Sequence, residues 1–310
     1  MKPSACEYLA PDTCEEAVRA LAQHGEEAAV LAGGQSLIPM MNLRIAAPGV
    51  LIDIMGIEEL DVIRSEGGWV EIGAGVRMTR AEREIQAPLL AKALRHVGHE
   101  AIRNCGTLCG SVAHADPAAE VPAVLLALGG EVVLQSVRGR RAVAADEFFQ
   151  SYFTTAREPD ELVVAIRIPA TPATPATPAT PATPATPAIP ATPAIPAAAP
   201  RVAFLEVTPR LGSCTGEFAT VAVAASAELD GAGRFAHVSL AFAGVAERAV
   251  RARGAEALLT GAEPTADVLA AAARSAADAV DPPGDVHAGP EYRRHLVGVL
   301  TRRALVELAA

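Results

Sequence analysis

Two stretches of this chain concentrate the residue types that hold charged ligands. Residues 103–122, RNCGTLCGSVAHADPAAEVP, bring Gly106 and Gly110 together with Thr107, Ser111, His114, Asp116 and Glu120, then pass into an apolar helix over residues 118–128. Glycine lets backbone approach a bound group and adopt positive φ at little steric cost. Successive free N–H groups in such a turn form an anion-binding concavity, aided by any helix N-terminus behind it. Upstream, residues 31–36 (LAGGQS) close a short apolar strand with a second glycine turn. It has neither the Lys of a nucleotide-hydrolysing P-loop nor the G-x-G-x-x-G spacing of a Rossmann turn. Two hydroxyl-bearing glycine turns suit a pyrophosphate held by backbone amides, so a dinucleotide gripped from two sides is the natural ligand class. Plain structural turns remain the alternative.

Other candidates carry less. Ser36 and Ser111 lack the G-x-S-x-G frame of a nucleophile elbow. His114 with Asp116 reads either as an acid–base pair or as an orienting or structural pair. His96 and His99, three apart on a predicted helix with no third ligand nearby, read as solvated helix residues. Cys109 is either a thiol activated beside amide dipoles or a buried small hydrophobe, which is the commoner state. The five cysteines are odd in number and scattered, with only Cys105 and Cys109 close together. That fits neither a secreted disulfide framework nor the four thiolates of an iron–sulfur cluster nor paired zinc ligands.

The elements that must position these residues follow from pattern. A capping box at Thr13 to Glu16 opens a helix with Ala17, Val18, Leu21 and Ala22 on one face. Strands are expected at residues 28–32, 50–54, 69–74, 131–137 and 161–168. Thr79 to Glu82 reads as a second capping box, residues 88–97 as a helix, and residues 148–155 as loop and short helix. Residues 170–200 repeat Ala-Thr-Pro, carry no charge and hold ten of the 24 prolines, so an extended or disordered linker is expected. Strands at residues 201–207, 219–229 and 235–245 follow, the last two joined by a hairpin signal at residues 230–233. Helices at residues 247–259, 265–280 and 292–308 close an α+β unit.

Half of the 310 residues are hydrophobic and the net charge is −10. Nucleic acid and anionic membrane faces need clustered Lys and Arg, so neither is expected as a partner. Arg293, Arg294, Arg302 and Arg303 read as the wet face of the terminal helix. No signal peptide and no membrane span are evident, and a cytoplasmic protein is expected.

Residues 32–44 (AGGQSLIPMMNLR), 103–128 and 152–169 (YFTTAREPDELVVAIRIP), together with YRRHLVGVLTRRAL from residue 292, resemble the medium, FAD-binding subunit of molybdenum hydroxylases, the family of xanthine dehydrogenase and aerobic carbon monoxide dehydrogenase. The resemblance covers nearly the whole chain outside the proline repeat. It implies an α+β fold: a PCMH-type FAD-binding domain of two α/β subdomains (1–57 and 58–169), the linker (170–200), and a C-terminal flavoprotein domain (201–310) with a small antiparallel sheet and packed helices.

The same resemblance implies FAD contacts at Ala32, Gly33, Gly34, Gln35, Ser36 and Leu37 in the first turn, and at Thr107, Leu108, Cys109, Gly110 and Ser111 in the second. His114 and Asp116 fall in the matching loop, Glu120 near the ribityl hydroxyls and Val163 near the flavin ring. It implies no catalytic side chain and no metal on this chain. The expected partners are a molybdenum-cofactor large subunit and a 2Fe-2S small subunit, in a heterohexamer that passes electrons to an external acceptor. A non-redox adaptor that has lost flavin and a free-standing FAD oxidoreductase are the other readings. Three departures from the family pattern stand out: Cys109 where the second turn usually has a glycine, Cys105 at a usually basic position, and a longer segment at residues 209–219 with Glu217 for Asp.

Overall fold

The computed structural model describes residues 2–170, 200–209 and 218–310. The proline repeat and the centre of the 209–219 segment, Cys214 and Glu217 included, lie outside the described residues. The chain opens with β1 (Glu7–Leu9), α1 (Cys14–His24), β2 (Ala28–Leu31), α2 (Leu37–Asn42) and β3 (Val50–Asp53), whose strands form a parallel sheet in the order β1-β3-β2. Thr13 caps α1 as its sequence requires, its side chain accepting from Glu16 N–H at 3.2 Å, while Glu16 reaches back to Asp12 N–H at 2.9 Å. Cys14, Ala17, Val18 and Leu21 make the buried face, whereas Ala22 is exposed.

Next come β4 (Ile63–Glu66), β5 (Trp69–Gly73), α3 (Met78–Glu84), α4 (Pro88–Leu94), α5 (Glu100–Cys105), α6 (Leu108–His114), α7 (Glu120–Ala127), β6 (Glu131–Ser136), β7 (Gly139–Ala144), α8 (Ala145–Phe148), β8 (Phe149–Ser151), β9 (Thr154–Thr155) and β10 (Leu162–Pro169). The antiparallel sheet runs β4-β5-β10-β6-β7. Its central strand β10 is apolar but for Arg167, which pairs with Glu71, because both faces are covered, with α1 and α6 packed against it.

Three expectations fail here for local reasons. Thr79 is not a cap: α3 starts one residue earlier, where Met78 N–H bonds Gly106 O at 2.9 Å, and the Thr79 hydroxyl bonds Asn104 instead. Residues 149–155 form a two-stranded hairpin rather than loop and helix. The helix from Pro88 stops at Leu94, which releases His96 from any helical face. Its ring packs 5.1 Å from Phe204, and Nδ1 lies 2.9 Å from the buried Glu206 carboxylate. His99, at the N-cap of α5, is exposed as expected.

The remainder holds β11 (Arg201–Val207), β12 (Val221–Leu229), β13 (Phe235–Ala243), β14 (Val250–Arg251), α9 (Arg253–Leu259), α10 (Ala266–Asp278) and α11 (Pro290–Ala309), with the strands antiparallel in that order. The helix expected from residue 247 begins only at Arg253, since Val250 and Arg251 pair with the open edge of β13. Strand alternation gives this sheet two different faces. Ala222, Ala224, Ala241 and Ala243 join the core shared with α7, while Val221, Val223, Leu240 and Phe242 meet α9, α10 and α11. Every residue of α7 is buried, which suits a helix apolar on nearly all sides. Arg293 is not on a wet face: it is 5 % exposed, donates to Thr220 O and Gly244 O, and pairs with Asp285. Arg302 and Arg303 do face solvent. No helix among the described residues is long and apolar enough to cross a membrane.

Candidate cofactor-binding site

The first glycine turn sits between β2 and α2. Gly34 has φ +69°, which favours glycine there. Gly33 is fixed by crowding: a Cβ would stand 2.4 Å from Cys105 O and 2.6 Å from Gly106 Cα. The two glycine-bearing segments therefore touch, backbone to backbone. Among the described residues, the N–H groups of Gly33, Gly34, Gln35, Ser36 and Leu37 meet no protein acceptor. A Gly33→Val change would thus crowd the second segment's backbone before it reached any ligand.

The second segment is a helix start rather than a turn. Gly106 ends α5, Thr107 is the N-cap of α6, and its hydroxyl accepts Gly110 N–H at 3.0 Å. Cys109, Gly110 and Ser111 occupy the opening of α6, so Cys109 has ordinary helical geometry and its Cβ raises no strain. The thiol is 2 % exposed, faces Ile72 O at 3.5 Å, and burial pushes its pKa up to about 12. That excludes the activated-thiol reading and leaves the small hydrophobe. Gly110 faces the first turn, an added Cβ standing 2.8 Å from the Thr107 hydroxyl and 4.0 Å from Ala32 Cβ.

At its other end α6 closes on Ala115 in the left-handed region, φ 52° and ψ 40°, a conformation unusual for a residue with a Cβ. His114 and Asp116 stand on either side of it. No hydrogen bond joins them among the described residues. The His114 ring lies 5.0 Å from Phe153, and the Asp116 carboxylate accepts Ala118 N–H at 2.8 Å. Burial lowers the His114 pKa and raises that of Asp116, and the attraction between the two opposes both shifts. Each is held by its own neighbour, so the geometry favours neither an acid–base pair nor an orienting pair and leaves the structural reading.

Glu120 opens α7 at 3 % exposure. Burial, then the nearby charges of Glu206 and Asp116, raise its pKa to about 8 against the opposing pull of a backbone hydrogen bond, so it is mainly neutral at pH 7 and can donate a hydrogen bond.

These residues surround one cavity of about 680 Å³, within the usual size of cofactor sites. Ala32 through Leu37, Thr107, Cys109, Gly110, Ser111, His114, Asp116, Glu120 and Val163 all line it. Leu108 does not: it is fully buried, in the core beneath α6. The sequence reading missed Arg157, Phe218 and Ala74, which also line the cavity. Arg157 lies in a charged run, AREPDE, that has the composition of a solvated loop, and no spacing rule marks it.

Comparison with known proteins follows this geometry. Residues 4–171 match the family described as FAD binding domain in molybdopterin dehydrogenase, and residues 211–308 match the CO dehydrogenase flavoprotein C-terminal domain. The chain belongs to the family of FAD-binding medium subunits of molybdenum hydroxylases, and is an oxidoreductase subunit. It is 34% identical to the carbon monoxide dehydrogenase medium chain of Hydrogenophaga pseudoflava, over 98% of this chain and 97% of that one. It is 32% identical to the 6-hydroxypseudooxynicotine dehydrogenase complex subunit alpha of Paenarthrobacter nicotinovorans, over 99% and 95%. The solved carbon monoxide dehydrogenase from H. pseudoflava superposes with a TM-score of 0.87 at 36% identity, covering 99% of this chain and 98% of that chain. The cavity fits FAD on its own terms: amides unengaged among the described residues, a close backbone junction that tolerates no Cβ at residue 33, and a buried carboxyl, Glu120, whose neutral form burial favours.

Proposed function

We propose that this chain is the flavin-carrying electron relay of a heteromeric molybdenum hydroxylase. In this reading a large partner oxidises substrate at a molybdenum cofactor, 2Fe-2S clusters on a small partner deliver the electrons, and a quinone, NAD or another external acceptor takes them away. The assembly is a cytoplasmic heterohexamer. The observation that carries the reading is the contact of Gly33 with Cys105 and Gly106, which sets five unengaged amides beside the start of α6.

When bound, the isoalloxazine supplies the redox chemistry. The chain's own residues bind and orient. The amides of residues 33–37 offset the diphosphate charge, and the Ser111 hydroxyl adds a hydrogen bond. Asp116 accepts from the ribityl hydroxyls, while neutral Glu120 donates to one. Val163 and Ala74, from the central strand and its neighbour, keep water from the ring. Residues 1–57 and 58–169 supply the two walls, and residues 201–310 add Phe218 to the lining and lean on α7 from behind. The two relatives named above are named for different substrates, yet this chain matches 95% and 97% of their lengths, which agrees with substrate choice residing on a partner.

Purification of the full chain with its neighbours tests this. The expected result is flavin absorbance in this chain, with iron and molybdenum in what accompanies it. A colourless chain would remove the relay, and substrate oxidation by this chain alone would make it a free-standing oxidoreductase.

A further inference from the structure

Side chains of both signs line the cavity, but among the described residues Arg157 is the only Lys or Arg there. It lies between the β8–β9 hairpin and β10. Its Nη1 donates to the main-chain oxygens of Glu158 (3.0 Å), Pro159 (3.3 Å) and Glu161 (2.9 Å). Nε and Nη2 have no acceptor among the described residues. The neighbouring acids are engaged elsewhere: Arg141 holds both Glu161 carboxylate oxygens at 2.7 Å, and Arg138 holds Glu158 and Asp160. Glu161 also lines the cavity, and its charge and that of Asp160 favour the Arg157 cation. Both carboxylates are already paired with Arg141 and Arg138, while burial disfavours the charged forms of Glu120 and Asp116. Burial also lowers the pKa of Arg157 without discharging it. A desolvated cation whose direct hydrogen bonds go to carbonyl oxygens, with Nε and Nη2 free among the described residues, gains from an incoming anion.

FAD brings negative charge in two places: the diphosphate always, and the ring after reduction. The unengaged amides stand near the Thr107 end of α6. Arg157 belongs to the other end. The hairpin before it carries Phe153, which packs on His114 at the last residue of α6, and seven helical residues span about 10 Å. The Glu161 oxygen that Arg157 holds is two residues from Val163, itself on the cavity wall.

Resting on the reading that FAD occupies this cavity, we propose that Arg157 is the counter-ion of the reduced flavin ring, so that the chain binds reduced FAD more tightly than oxidised FAD. Reduction consumes two electrons and one proton, FAD + 2 e⁻ + H⁺ giving FADH⁻, and leaves one added negative charge on the ring. The electrons come from the partner's clusters in the complex and from dithionite in the test. A fixed cation beside the ring favours the charged product and raises the reduction potential of the bound flavin.

The test titrates the full-length, FAD-loaded chain with dithionite against reference dyes, for wild type, Arg157→Met and Arg157→Lys. Arg157→Met should lose about tenfold of the preference for reduced over oxidised FAD, a fall of about 30 mV for this two-electron couple. Its affinity for oxidised FAD should hold, and Arg157→Lys should keep most of the wild-type potential. Equal weakening of both redox forms would assign Arg157 to the diphosphate and overturn the proposal. So would a lowered melting temperature at an unchanged potential, which marks a loop brace. Val163→Trp, which fills the cavity, separates the two levels of the argument. FAD retained at full stoichiometry in that variant defeats the cavity reading itself; FAD expelled upholds it and leaves Arg157 to be judged by its own titration.

Discussion

At one end of the cavity, five main-chain N–H groups of residues 33–37 face no acceptor among the described residues, and no ionisable side chain stands among them. At the other end, past the last turn of α6, His114, Asp116, Glu120 and Arg157 line the wall. The first end holds its partial charge at any pH and in any redox state, because peptide dipoles do not titrate. The second can gain or lose charge, and burial has already shifted His114, Asp116, Glu120 and Arg157 from their ordinary ranges. In the proposed reading, binding and tuning fall to different chemistry: backbone for the part of FAD that never changes, side chains for the part that does.

The strongest way to break that division is Gly33→Val. Any Cβ there meets Cys105 O at 2.4 Å, a backbone atom that cannot swing aside. The expected effect is destabilisation of about 3 kcal/mol and loss of bound flavin, read by melting temperature and flavin stoichiometry. Normal flavin content in this variant would show that the amide end is dispensable.

Glu120→Gln comes next and acts only on the other end. The Glu120 pKa of about 8 in the folded chain lies above the ordinary 4.5, so the folded state keeps a proton that the unfolded state releases. Stability associated with that proton is full below pH 4.5 and is lost as pH climbs towards 8. The flavin-free variant should therefore melt about 5 °C above wild type at pH 8 and level with it at pH 4.5. A constant difference across that range would mean that Glu120 is charged in the fold.

The smallest effect is expected from Thr107→Ala. It removes the cap on Gly110 N–H, at a cost of about 1 kcal/mol, yet frees one more amide beside the first turn. Stability measured by denaturant should fall while affinity for FAD stays level or improves; a large drop in affinity would give the hydroxyl a direct contact with the cofactor.

Much of this was legible from sequence wherever a local rule suffices. Thr13 with Glu16, the apolar run of β10 and the glycines at 33 and 34 each carry their own physical reason, and fourteen of the fifteen expected contacts line one cavity. Leu108 failed because the segment is helical, and helical periodicity turns one residue in each turn inward. Thr79 failed because T-x-x-E fits a helix interior as well as its start. Arg293 and His96 were misread for a different reason. Their partners, Thr220, Gly244 and Glu206, are remote in sequence, and a charge or ring looks solvated until tertiary contacts enclose it. Arg157 belongs with them: what makes it unusual is that Arg138 and Arg141 occupy its neighbouring acids, a pattern of pairing that composition does not reveal.

The alanine side of the C-terminal sheet leaves α7 a seam one methyl deep, along Ala222, Ala224, Ala241 and Ala243. The opposite side of the same strands accepts valine, leucine and phenylalanine. A branched residue moved across to the alanine side would lever α7 outward and carry Glu120 with it. Drift in those strands would then surface first as a protein that purifies pale, well before it purifies unfolded.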